Sequence, residues 1–333
     1  MSIVYDLIFW ASEPLHSIVD AHILGHRAGQ QSGDIVIALK NLILSILNNY
    51  GAGQSLDAVQ KSIMDFIANI HGLEIFLASP VLLLSQITIL RDGLDAAFVE
   101  SLPSENEILS DTRTGPSIST AGKIHHLTRA FLFHQADDVS LRIDISRAVA
   151  ENCHQLNPDI LMGYFFEGLA SFQLARQSSG AESANLVEKG LSTLKRMRDL
   201  SEHSVWNWEN KMLLLEAESL YTEGNLFESA GLLYDKAIQS AHEHKFIHEE
   251  AIASELAGNV YYERGFHDKS YSYFAHSVKS YEKWGARAVA KRLESDITRK
   301  TGTAIHLLES STDETLDHLF ATSRDSSKKH QLG

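Results

Sequence analysis

The stretch AIASELAGNVYYERGFHDKSYSYFAHSVKSYEKWGARAVAKRL, from Ala251 to Leu293, decides the fold class. It reads as two amphipathic helices folded back on each other around Gly265 and closed by Tyr281, Trp284, Gly285 and Ala286. Ala257 and Gly258 are small where two helices must approach closely, and Tyr261, Tyr262, Tyr271, Tyr273 and Phe274 recur at spacings that fill the gap between them. A hairpin of this kind cannot bury its apolar face alone, so it predicts stacked neighbours.

A weaker copy lies upstream. Gly224 and Gly265 stand 41 positions apart, as do Ala217 and Gly258, Leu220 and Tyr261, Tyr221 and Tyr262, and Leu233 and Phe274. A unit of about 34 residues, with a longer loop over His242 to Glu249, accounts for that spacing. Gly33 with Ala38 offers a third, looser copy. The pattern predicts an all-α, superhelical array of antiparallel helix pairs of the tetratricopeptide-like kind, best developed over 205–293, with no chemistry of its own. Gly33, Ala217, Gly224, Gly258, Tyr261, Gly265, Phe274, Tyr281, Trp284 and Gly285 are its packing and turn positions. Trp284, followed by Gly285, reads as a plug between the last hairpin and a capping helix, in preference to an exposed anchor for a partner.

Working outward, Ile18 to Ala28 pairs with a helix that Asp34 caps and in which Ile35, Ala38, Leu39, Leu42, Ile43 and Ile46 share one face. Gly25, Gly29 and Gly33 provide close packing and a turn, and Ser55 caps a further helix. The most apolar run, Leu73 to Leu90, carries Glu74 and Pro80; it predicts a buried core helix interrupted near the proline, because a membrane span needs about 20 apolar residues. Residues 101–118 are polar, hold two prolines and lack a period, so they predict a linker or long loop. The expected organisation is an N-terminal helical segment over 1–100, the linker, a C-terminal helical segment over 119–300, and a polar, disordered tail over 301–333.

Among 333 residues, 44% are hydrophobic and 22% charged, which is ordinary for a soluble protein with a large core. The formal charge of -14 argues against sequence-independent binding to a phosphate backbone, so no nucleic acid is expected. The single cysteine, Cys153, permits no intramolecular disulfide and suits a reducing compartment. Residues 1–13 carry Asp6 and Glu13 and lack a basic start, so no secretory leader is expected and the setting is cytoplasmic, with no membrane insertion.

Catalytic constellations are missing. A phosphate-binding loop needs Gly-x4-Gly-Lys-Ser/Thr; the nearest string has Gly115 and Gly122 seven apart and Ile124 where the hydroxyl belongs, and reads as a loop leading into a helix. The protein-kinase strings His-Arg-Asp and Asp-Phe-Gly are missing, as is Gly-x-Ser-x-Gly. His242, His244 and His248 cluster, but Lys245 stands where a zinc-helix glutamate would have to be, so they read as a solvated connection. His125, His126 and His134 read as helix-surface or satisfied core histidines, and Asp137-Asp138 as a helix start. No catalytic, cofactor-binding or metal-binding residue is assigned.

Glu255-Leu-Ala257, Tyr261-x-x-Arg-Gly265, Tyr273 and Phe274 with Val278, and Tyr281-x-x-Trp-Gly-Ala286 together resemble the helical-repeat region of very large signalling proteins. Those proteins chain a serine/threonine-kinase-like domain, an AAA-type ATPase domain, the helical array, a GAF domain and a histidine kinase. Trp208 to Glu218, Tyr234 to Ala241 and Tyr164 to Ala170 are similar to the same region. The resemblance implies a non-catalytic scaffold or regulatory region that contacts a protein partner or a neighbouring signalling domain in a kinase or phosphorelay system, as a stand-alone relative or a piece of a larger kinase. The alternative is a small-molecule-responsive helical domain, with the ligand enclosed between hairpins near Leu73 to Leu90.

Overall fold

The computed structural model describes residues 13–302 apart from 71, 74–75, 98–101, 112–114, 136–143, 145–157 and 225–226. Thirteen helices and no strand occur among the described residues. The expectations for Cys153, for Asp137-Asp138 and for the tail beyond Gly302 lie outside them.

Helices α1 (Leu15–Ser32) and α2 (Ile35–Gly51) form the first hairpin. Gly33 turns the chain at φ 77°, and the Asp34 carboxylate accepts the Ile37 N–H at 3.1 Å. A Cβ at Gly29 would stand 2.8 Å from the Ala38 nitrogen, so the two helices touch backbone to backbone. That contact sets which face of α2 is covered. Ala38, Asn41, Ser45, Ile46 and Asn48 are buried, whereas Ile35, expected on the core face, is 49% exposed together with Val36 and Ile37.

Next come α3 (Leu56–Asn69) and α4 (Ala78–Asp92). Ser55 precedes α3 without a capping bond from its side chain. The helix expected to break near Pro80 instead begins there: the proline sits in the first turn of α4, where its missing N–H removes no helical bond. No helix among the described residues is long and apolar enough to cross a membrane.

Among its described residues, the linker or loop expected over 101–118 is largely helical. Ser104 and Glu107 make a reciprocal capping box that starts α5 (Glu105–Ser110), and α6 (Gly115–Leu132) begins at the glycine read as part of a loop. Glu105 ties the two together, reaching His126 at 2.6 Å and Arg129 at 2.9 Å. Burial would raise its pKa, but those two partners outweigh it and hold it at about 2.

The C-terminal part is a row of hairpins: α7 (Pro158–Gln177) with α8 (Gly180–His203), α9 (Val205–Glu223) with α10 (Phe227–Glu243), and α11 (Ile247–Glu263) with α12 (His267–Trp284), closed by α13 (Arg287–Thr301). The first helix of each pair touches the first helix of the next, α7 on α9 and α9 on α11. The loop expected over 242–249 shrinks to residues 244–246, turned by Lys245 at φ 64°. The residues beyond a 34-residue unit extend the helices instead. Gly224 at φ 85° and Gly265 at φ 81° each follow the first helix of a pair, in the left-handed region that favours glycine. A Cβ at Gly258 would lie 2.6 Å from the Phe274 ring, which is how closely α11 and α12 meet.

The N-terminal helices do not form a separate lobe. One continuous core runs from Leu15 to Ile297. Asn207, at the start of α9, accepts the Leu15 N–H at 2.9 Å and donates to the Glu13 carbonyl at 2.8 Å, while Arg287 pairs with Asp57 at 3.2 Å. Segment 205–293 is therefore part of a larger unit, since its residues share one core with α1 to α4 and α6.

Candidate functional site

Helix α6 lies against the row. Phe131 meets Phe166 of α7 edge to face at 5.7 Å, and α6 residues Ile124, Thr128 and Leu132 share cavity walls with Met162, Ile252 and Trp284. His134, just past α6, reaches Glu255 of α11 at 3.0 Å and Asp296 of α13 at 3.2 Å. Among the described residues, a cleft of about 350 Å³ opens past the end of α6 between α7, α9, α11 and α13.

Helix α11 supplies the floor and part of the wall, because its residues are sorted by the helical repeat. Ile252, Leu256 and Val260 form an apolar stripe at four-residue steps, joined by Phe131 and Leu132; Glu255, Asn259 and Glu263 form a polar stripe beside it. Arg292, Asp296 and Lys300 repeat the four-residue step on α13. Gln173, Arg176 and Gln177 come from α7, and Glu218 and Tyr221 from α9.

Two buried carboxylates organise these walls. Glu218, whose side chain is 1% exposed, receives Arg176 at 2.8 Å and the Tyr234 hydroxyl at 2.5 Å. Glu255 receives Arg292 at 2.8 Å and the Tyr281 hydroxyl at 3.0 Å, with His134 as a further partner. Burial alone would raise the Glu255 carboxyl, but the Arg292 charge and the bonds from His134 and Arg292 hold it well below the usual range. Burial, followed by the adjacent carboxylates, drives the Tyr234 and Tyr281 hydroxyls far up. Burial would lower His134, but its two carboxylate partners raise it above the ordinary histidine value. Tyr221 donates to Glu263 and is pushed up to about 12 by burial and then by that bond. Lys300 donates to Asn259 at 2.6 Å; burial pulls its ammonium below the ordinary lysine value.

A second, smaller cavity of about 40 Å³ lies between α6, α7 and the start of α11. His248 stacks on Trp284 at 5.2 Å there, and Tyr50 lies 6.1 Å from the same indole. The Nδ1 atoms of His125 and His248 and the Trp284 Nε1 have no hydrogen-bond partner among the described residues. Such a space holds a few waters at most. Burial, then the charge of Arg129, brings His125 down to about 4. Neither cavity is lined by α4, where an enclosed ligand was expected.

The residues singled out by sequence fall mainly outside the cleft. Tyr281 reaches it; Ala217, Gly258 and Phe274 are buried between helices, and Gly33, Gly224, Gly265 and Gly285 are turns with positive φ. Tyr261 is buried and stacks on Tyr273 at 5.3 Å. His248, read as part of a solvated connection, is buried in the first turn of α11 because Gly53 packs against it, a Cβ there falling 2.6 Å from Nδ1. His242 bonds Glu250 at 3.2 Å, and no cluster of three metal-binding side chains occurs among the described residues. Sequence reasoning passed over Gln173, Arg176, Glu218, Asn259 and Lys300, and took Glu255 only as part of the family resemblance. Their signal is a polar stripe at three- and four-residue steps on helices that are otherwise apolar, which a single chain reads as an ordinary solvated face.

No family model, no curated protein and no solved structure matches the chain.

Proposed function

We propose that the chain is a non-catalytic, tetratricopeptide-like scaffold or regulatory unit whose row of first helices holds a segment of a partner protein or neighbouring signalling domain. The observation that carries this reading is the cleft itself: four helices converge on it, and its buried carboxylates Glu218 and Glu255 are paired with Arg176 and Arg292. A carboxylate such as Glu255, occupied by an arginine, a tyrosine and a histidine, has no lone pair left to act as a base, which supports binding over catalysis. The resemblance of Glu255 to Ala286 to signalling arrays supports a setting in kinase or phosphorelay signalling, inside the cell.

The test uses the full-length chain, because 205–293 shares its core with the N-terminal helices. Purified protein should not turn over ATP, and it should retain a defined partner that is lost on Glu263→Lys with unchanged circular dichroism. ATPase activity that follows the protein through purification overturns the reading. The second reading, a small-molecule-responsive domain, draws on the cleft volume, which falls within the range of about 300–1,000 Å³ for small ligands. Saturable thermal stabilisation by a metabolite, without partner binding, would favour it.

A further inference from the structure

We propose that His134 is a proton-operated clamp. With both ring nitrogens protonated it fastens the last turn of α6 to α11 and α13; loss of one proton frees that turn and joins the inner cavity to the cleft. The clamp works in this way whatever the cleft takes up.

Its parts form a square of alternating charge. Nε2 stands 3.0 Å from Glu255 of α11 and Nδ1 3.2 Å from Asp296 of α13. Arg292 Nη1 reaches both carboxylates from the opposite corner, 3.3 Å from Nε2. A neutral imidazole carries one N–H and one lone pair, so serving two carboxylates takes the imidazolium. The charge count agrees. Two carboxylates and one guanidinium leave one negative charge, which the imidazolium balances and a neutral ring does not. The other cations nearby are engaged elsewhere or screened: Arg299, bonded to Asp296, has a side chain 77% exposed, Lys300 is bonded to Asn259, and Arg176 across the cleft is held by Glu218. From α12, the Tyr281 hydroxyl donates to Glu255.

The backbone makes the clamp releasable. His134 closes α6 at φ 54°, its N–H on the Phe131 carbonyl at 3.2 Å and the Gln135 N–H on the Ala130 carbonyl at 2.8 Å. This is the left-handed helix end that glycine usually takes, and a residue with a side chain holds it at a cost. The ion pairs of the charged ring offset that cost. Leu132, two residues before, lines both the cleft and the inner cavity, as does Ile252, so these two side chains form the wall between them. When the ring loses a proton, one carboxylate faces a lone pair, the left-handed turn loses its anchor, and Leu132 withdraws with the end of α6. The cleft then deepens toward Met162 and Trp284. Burial lowers His134 and its two carboxylates more than offset that, so the clamp is fast below the ordinary histidine value of 6.5 and opens as pH rises above it.

The test is NMR of the full-length protein between about pH 6 and about pH 9, reading the His134 ring nitrogens and the broadening of the Met162 methyl by a soluble nitroxide. Met162 lines the inner cavity and not the cleft, so its broadening should rise several-fold with the midpoint of the ring, above 6.5. Asp296→Asn removes one corner of the square and should lower that midpoint by about one pH unit. His134→Asn keeps a side chain that tolerates the left-handed turn but carries no charge, so Met162 should be as open at low pH as wild type is at high pH. A ring already neutral at about pH 6, or still charged at about pH 9, overturns the switch. Titration of the ring with no change at Met162 overturns its hold on the cavity wall. A pH dependence at Met162 that persists in His134→Asn belongs to His125 or His248, which line the inner cavity, and overturns the clamp.

Discussion

Glu218 and Glu255 sit in two knots of the same composition: a buried carboxylate, an arginine from a neighbouring helix of the row (α7 for Glu218, the closing α13 for Glu255) and a tyrosine from the second helix of its own pair. They differ in one partner. Only Glu255 is reached by His134, which follows α6, so this knot ties the N-terminal helices to the row and the other does not. The comparison separates two jobs that one chemistry can do. At Glu218 it holds hairpin to hairpin; at Glu255 it also holds the covering helix in place at the edge of the cleft.

The largest expected effect breaks the simpler knot. Arg176 is the one cation paired with Glu218 among the described residues, so Arg176→Leu strands a carboxylate that is 1% exposed. Chemical denaturation should show a loss of about 3–5 kcal/mol. Arg292→Leu should cost less, about 2–3 kcal/mol, because His134 remains as a second cation beside Glu255. Removing the arginine charge also raises His134 further, so this variant should lose stability more steeply than wild type as pH rises above neutrality.

Two glycines in the last hairpin sharpen the contrast between strain and crowding. Gly265→Val meets nothing within 4 Å, so its expected cost of about 1–3 kcal/mol comes from forcing φ 81° on a branched residue. Gly258→Ala has ordinary helical φ and meets the Phe274 ring at 2.6 Å, so its similar cost of about 1–3 kcal/mol comes from overpacking. Gly258→Ala should gain from a compensating Phe274→Leu, and Gly265→Val should not; a double-mutant cycle checks this.

The smallest effect is in the pH profile. His134 is raised in the folded state, so its contribution is full below the unfolded value of 6.5 and fades as pH rises through the folded one. With 39% of its side chain exposed, solvent screens that contribution. His125 has the opposite sign: lowered to about 4, it is folded as the neutral ring, and stability falls as pH drops from 6.5 toward that value. Glu105, held at about 2, adds a further loss as pH falls from 4.5 through 2. Thermal midpoints should peak near the unperturbed histidine range, and His134→Gln should flatten the alkaline side only.

The turns were the legible part of the fold. Gly224, Gly265 and Gly285 advertise themselves because a left-handed residue after an apolar run has few other sequence solutions. The capping box at Ser104 and Glu107 is an equally local signal, set in a polar stretch with two prolines that reads as a linker or loop. The placement of α6 was not legible. Its apolar residues specify that a face is buried but carry no record of what buries it, and its partners on α11 and α13 lie more than a hundred residues away. The cleft was hidden for the same reason. Glu255, Asn259 and Glu263 spell an ordinary polar face until α7, α9 and α13 bring Arg176, Tyr221 and Lys300 opposite them.

The claim that the cleft is the binding surface is tested most directly by methyl NMR of the full-length protein titrated with a peptide segment of the partner it retains. Leu132, Leu256 and Val260, which line the cleft, should shift together and saturate at one equivalent, while the exposed Leu24, Leu191 and Leu232 stay in place. Shifts at the exposed leucines with none at Leu256 and Val260 would contradict it.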